Sequence, residues 1–181
     1  MQEIQIFKML VATVPPLVQA RTGSTGQIAV MQAYQPQQTG LSKLPTLALS
    51  VVMAKRYGWR KSAARWDAAA SIMRNYEAQP METTIQFTMQ ATATGDPNGP
   101  TETDRLQFIA DAVQSDVFIA QIRPAAQVLR VTDVRTGRFI GDNGQHMNWP
   151  SFDLTIKHTR EYVDGIPAVS AWDGLNVYAV V

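Results

Sequence analysis

The chain has no cysteine among its 181 residues, so disulfides, thiolate metal sites and cysteine nucleophiles are excluded at once. Histidine is nearly as scarce: His146 and His158 are the two present, and any imidazole base or metal site would have to be built around one of them. Neither has carboxylates at ligand spacing. Charge is sparse at 17% of residues and almost balanced, 16 basic against 15 acidic side chains, for a formal net charge of +1. A dedicated polyanion binder, whose affinity comes from counterion release, would carry a larger excess. No apolar run reaches the roughly 20 residues that span a bilayer. The stretch Met1 to Pro15 has Glu3 ahead of Lys8 and lacks the basic leader and small-residue cleavage site of a signal peptide. These absences predict a soluble protein without membrane contact. Also missing are the Walker glycine-lysine loop, the dinucleotide fingerprint, a His-Glu-x-x-His helix and a Gly-x-Ser-x-Gly elbow. Arg21-Thr-Gly-Ser-Thr-Gly26 is glycine-rich, but it has no lysine and follows Pro15-Pro16, so it reads as a turn. The sequence therefore predicts no catalytic residue, no cofactor and no metal. A small hydrolase would need a pocket joining one histidine to a carboxylate and a nucleophile.

What is present is a globular composition, 45% hydrophobic, in one domain spanning 1–181. A chain of this size buries roughly 70% of its unfolded surface. Ile4, Phe7, Met9, Leu10 and Val14 fit a short amphipathic helix that Pro15-Pro16 would stop. Residues 21–45 are polar and glycine-bearing around one apolar piece, Ile28 to Tyr34. They form either a long loop or an arm that adds a strand to a neighbour's sheet. Leu47 to Ala54 is strand-like, Ala63 to Ala78 has helical composition with Ala64, Ala68, Ile72 and Tyr76 on one stripe, and Glu82 to Ala93 alternates as a strand. Thr101 and Thr103 are helix-cap candidates ahead of Leu106, Ile109, Ala110, Val113 and Val117. Gln127 to Arg135 and Pro150 to Val163 return to strand character, joined by a long hairpin excursion at 136–149, and Leu175 to Val181 would be a last strand. The sum is an α+β fold with a mainly antiparallel or mixed sheet of four to five strands and helices on one face.

Two segments suit contact with other molecules. Lys55-Arg-Tyr-Gly-Trp-Arg-Lys-Ser-Ala-Ala-Arg-Trp66 gathers five of the 16 basic residues and three aromatics with no acid. Arginine beside tryptophan is typical of protein hot spots, so Arg56, Trp59, Arg60, Arg65 and Trp66 are candidates for one subunit contact. The competing readings are phosphate contacts, or a strand end with both tryptophans in the core. Phe139, Met147 and Trp149, on the excursion, are candidates for a second contact. The polar residues of the alternating strand, Glu82, Thr84, Gln86, Thr88 and Gln90, form a wet face that either lines a channel or simply faces outward.

Tyr34-Gln-Pro36, Arg56-Tyr-Gly-Trp59, Glu82-Thr-Thr-Ile-Gln-Phe87, Thr103-Asp104, Val131-Thr-Asp-Val-Arg135 and Pro150-Ser-Phe-Asp153 occur in an order and rough spacing that resemble the neck and tail terminator proteins of tailed bacteriophages. The resemblance covers about residues 28–163. It implies a structural virion subunit, assembled in the host cytoplasm, that forms a ring, usually a homohexamer. Such a ring caps the tail tube and joins it to the head connector or stopper, with genomic DNA passing through without sequence-specific binding. Another head-tail joining protein, or a tube subunit, is the nearest alternative.

Overall fold

Ile6, Leu10, Val14 and Val18 recur at four-residue spacing, and all four are buried along one helix, α1 (Glu3–Thr22). Pro15 and Pro16 lie inside α1 and do not end it. Each removes a backbone donor and costs about 3 kcal/mol in a helix interior. The buried stripe crosses both prolines unbroken, and each large side chain so buried contributes about 1.5–3 kcal/mol. Packing on the sheet thus overrides the local stop signal. The computed structural model describes residues 3–22, 28–33, 45–70, 72–90, 100–140 and 146–167. Most of the expected arm at 21–45, and the expected last strand at 175–181, lie outside these.

The remaining elements are β1 (Ala29–Gln32), β2 (Thr46–Arg56), β3 (Lys61–Asp67), β4 (Ile72–Gln90), α2 (Glu102–Val113), α3 (Asp116–Ile122), β5 (Ala126–Val131), β6 (Arg135–Ile140) and β7 (His146–Pro167). The α+β expectation holds, with helices on one face of a mixed sheet. The sheet has seven strands, more than the four or five expected, in the order β1-β2-β4-β7-β5, with β3 beside β4 and β6 beside β7. β1 pairs with β2 in parallel, and every other pairing is antiparallel. The apolar piece of the expected arm thus adds a strand to its own chain's sheet.

Two segments differ from expectation. The stretch 63–78 is not a helix. It divides between β3 and the start of β4, because Asp67 closes a tight turn: its Oδ1 accepts from the backbone N–H of Ala69 (3.1 Å) and of Ala70 (3.2 Å), and its Oδ2 accepts from Arg74 Nε (2.6 Å). Within the expected hairpin excursion at 136–149, β6 pairs with the start of β7 from Arg135↔Ser151 to Ile140↔His146. The helix expected to run from Leu106 through Val117 breaks at Ser115, whose hydroxyl caps α3 by accepting from Phe118 N (3.3 Å).

α2 begins as the sequence indicates. Thr101 Oγ1 accepts from Asp104 N (3.2 Å), and Asp104 Oδ2 accepts from Thr101 N (3.0 Å), a reciprocal capping box. The helices bury Phe7, Leu10, Leu106, Ile109, Val113, Phe118 and Ile122 against Leu47 and Leu49 of β2, Ile85, Phe87 and Met89 of β4, and Phe152, Leu154 and Ile156 of β7. Phe87 and Phe152 stack at this centre with ring centroids 4.7 Å apart.

Candidate assembly interface

Core burial stops abruptly along the long strands. Among the described residues none between Leu49 and Met81, and none beyond His158, is buried. In that region β3, the first half of β4 and the last part of β7 form a three-stranded ribbon: Lys61↔Ala78 through Asp67↔Ile72 on one side of β4, and Ile72↔Pro167 through Pro80↔Thr159 on the other. Isolated sheet of this kind is marginal in water unless a face is covered. No described residue of this chain buries either face of the ribbon.

β2 and β3 run in the same direction along the same edge of β4, separated only by Tyr57 to Arg60. The chain bulges there because Gly58 takes φ 71°, a left-handed conformation that a residue without Cβ adopts at little cost. Tyr57 N donates to Pro80 O (2.9 Å), and Gln79 Nε2 donates to Gly58 O (3.3 Å), tying the bulge to β4. The result presents Trp59 almost wholly to solvent, 93% exposed. Trp66 is 56% exposed, so the reading that places both tryptophans in the core is excluded.

Strand alternation separates the remaining candidates by face. On the side continuous with the helix-covered core, Arg56, Arg60, Glu77, Gln79, Met81, Arg160 and Tyr162 line a shallow recess of about 310 Å³. Arg60 forms a salt bridge with Glu77, and the Arg160 guanidinium lies 4.9 Å from the Tyr162 ring centre. No salt bridge to Arg56 or Arg160 occurs among the described residues. On the opposite side Arg65 lies 5.7 Å from the Tyr76 ring centre, Lys157 Nζ lies 4.6 Å from that of Tyr57, and Arg74 pairs with Asp67. The Asp67 carboxyl is held below the usual range, first by the hydrogen bond from Arg74 and then by the backbone donor of Ala70. Arg65 and Trp66, adjacent in sequence, therefore serve opposite surfaces.

The polar face expected along the alternating strand lies on the side of the sheet away from the helices. Glu82, Thr84, Gln86 and Thr88 lie on the sheet face away from the core, opposite Lys157, Thr155, Asp153 and Ser151 of β7. The cross-strand partners bind each other: Thr84 and Thr155 hydroxyls are 3.1 Å apart, Gln86 Nε2 donates to Asp153 Oδ1 (3.5 Å), and Arg135 Nη2 donates to Asp153 Oδ2 (2.6 Å). Thr84 is consequently only 8% exposed, whereas Glu82, Gln86 and Thr88 are half-buried. The side chain of Gln90 lies outside the described residues.

In the β6–β7 hairpin the backbones of Phe139 and Met147 pair directly, their side chains lying outside the described set. Trp149 pairs with Gly137 and is partly exposed, on the same sheet face as Ser151 and Asp153. This group is not brought together with Arg56, Trp59 and Arg60.

His158 is buried beside the core, its Nε2 2.9 Å from Thr83 Oγ1, and burial pushes its pKa below the ordinary value. The adjoining cavity of about 570 Å³ is lined by Arg123, Gln127, Lys157 and uncharged residues, with no carboxylate. The His146 side chain is not described. No group of three or more metal-ligating side chains occurs among the described residues, and no helix is long and apolar enough to cross a membrane.

Arg160, Tyr162 and Glu77 were not singled out from the sequence. Arg160 and Tyr162 lie about a hundred residues after Arg56, and only the β4–β7 register, Gln79↔Arg160 and Glu77↔Tyr162, brings them to the recess. The available signal was the alternation of 150–163 itself, which puts Arg160 and Tyr162 in phase with Phe152 and Leu154. The family model described as E217 gateway protein gp29 matches residues 5–168 of the chain. No curated protein matches it.

Proposed function

The chain belongs to the family of the E217 gateway protein gp29, a structural family of the phage head-to-tail passage, and from that premise we propose that it is a ring-forming neck subunit that closes the tail tube and joins it to the head connector. The observation that carries this is the ribbon: strands that continue past the core with exposed Trp59, Trp66, Met73, Tyr76 and Tyr162 on two faces that no described residue covers. Side chains of this kind exposed together mark protein contact surfaces. A closed ring of identical subunits uses heterologous contacts, so each copy needs two different complementary patches. A ring with one face complementary to tube and the other to connector ends a growing stack, because tube subunits find no second copy of their own docking surface.

In this reading the sheet face with Glu82, Gln86 and Thr88 looks into the channel. Its hydroxyls and amides, together with mutually paired charges, let DNA pass without holding it. Structural family membership and a buried His158 with no carboxylate partner among the described residues both support a role other than catalysis. The neighbours are further copies of this chain, the tube protein and the connector or stopper protein.

The test is native mass measurement and electron microscopy of the purified protein, with a Trp59→Ala, Arg60→Ala double variant alongside. Single rings are expected for the wild type, and a folded variant with fewer rings and reduced tail joining. Long tubes would favour a tube subunit instead. A monomer that leaves tail joining undisturbed would reject the ring.

A further inference from the structure

Among the described side chains, the recess face of the ribbon carries more positive than negative charge. Arg56, Arg60 and Arg160 line the recess with one carboxylate, Glu77, which Arg60 already engages. Tyr162, 42% exposed, lies against the Arg160 guanidinium, and the exposed Trp59 adjoins Arg60 in the chain. Arginine next to open aromatic surface calls for a partner that offers both carboxylates and apolar contact.

The same chain offers such a surface at its other end. From Leu106 to Ile122 there is no lysine or arginine, while Asp111 and Asp116 are exposed. The inward side of α2 and α3 is fully used in the core, yet Phe108, 47% exposed, and Val117, 56% exposed, carry further apolar surface on the outside. A helix that packs on one sheet needs a single apolar stripe, and among the described residues nothing covers this outer pair. Other faces fit less well. The outer side of α1 opposes Glu3 to Lys8, and the open sheet face pairs its own charges, Arg135 with Asp153.

We propose that the Arg56, Arg60 and Arg160 face of the ribbon docks on the outer face of α2 and α3 of a second copy of this chain, with Asp111 and Asp116 meeting the arginines and Phe108 and Val117 meeting Trp59 and Tyr162. This rests on the ring reading and specifies its side-to-side contact. The two patches differ and lie on different parts of the chain, so each copy gives one and receives one, as a closed ring requires. Opposite charges fix which faces meet, and the aromatic and apolar groups exclude water between them.

The experiment uses the full chain in three variants: Arg56→Glu with Arg160→Glu, Asp111→Arg with Asp116→Arg, and all four together. Ring fraction is read by native mass spectrometry and sedimentation at fixed salt, and folding by circular dichroism and melting. Each charge-reversed pair is expected to lower ring affinity by about tenfold or more, and the fourfold variant to recover most of it, since every interface regains opposite charges. Unaltered rings in both pair variants would overturn this contact while leaving the ring reading intact. Loss in the pair variants without recovery in the fourfold variant would overturn it too, because the faces would not be meeting each other. Intact rings with weakened salt-dependent DNA binding in the arginine variant would assign that face to phosphate. A wild-type chain that stays monomeric would end both readings.

Discussion

His158 is the residue whose chemistry is most constrained by its surroundings. Thr83 satisfies one ring nitrogen, while Nδ1 is buried without a partner among the described residues. Burial is the chief reason its pKa lies below the ordinary 6.5, with the charge of Arg160 acting in the same direction. Between the folded and unfolded values the unfolded chain holds the extra proton, so the sign of the linkage is fixed. This stabilising term is complete above about pH 6.5 and shrinks as pH falls through the folded pKa. Thermal melting from pH 7.5 downward should show that decline, and a His158→Gln variant should flatten it. An equally steep decline in the variant would place the dependence elsewhere. Glu77 and Arg160 illustrate why single residues were hard to assign: Glu77 lay in an expected helix and Arg160 in an expected strand, each an ordinary charge until the register set them around Arg56 and Arg60.

Among the elements, the capping box of α2 was legible because its signal is local, with Thr101, Asp104 and the stripe beyond them spaced as a helix start requires. Thr101→Ala removes the hydroxyl's bonds to Asp104 N and Asp104 Oδ2, leaving the backbone half of the box, and should cost about 1 kcal/mol in a denaturant titration, with secondary structure retained. The helix expected over 63–78 failed for the opposite reason. Ala64, Ala68, Ile72 and Tyr76 do fall at helical spacing, but pairing of β4 with both β3 and β7 outweighs propensity, and Asp67 marks the turn. α1 repeats the lesson, since a stripe extended to Val18 would have shown that the prolines interrupt nothing. An Asp67→Ala change should speed amide exchange in β3 and the first half of β4 while leaving exchange in α2 unchanged.

For the molecule as a whole, the division between core and ribbon makes opposite predictions for two aromatic residues. Phe87 is fully buried and stacked on Phe152, so Phe87→Ala should lose about 3–5 kcal/mol of stability by chemical denaturation. Trp66 touches no core, and Trp66→Ala should leave the isolated chain within about 0.5 kcal/mol of wild type. Its effect, if the ribbon is a contact surface, appears in assembly. Nothing among the described residues pairs with the outer edges of β3 or of β7 beyond His158, and open edges exchange readily. Amides there should exchange fast in the isolated chain and become protected on assembly. Equal exchange in both states would argue that the ribbon stays free.

Composition and spacing alone determined the absence of thiol chemistry, the α+β class, the start of α2 and the concentration of arginine and tryptophan between Lys55 and Trp66. Those follow from which residues exist and from contacts within a few positions along the chain. Which residues share a surface was decided only by the tertiary structure: Arg65 parted from Trp66, Arg160 joined to Arg56, and Thr84 enclosed by Thr155. Strand register is a long-range choice, and shifting it by one residue turns every side chain to the other face.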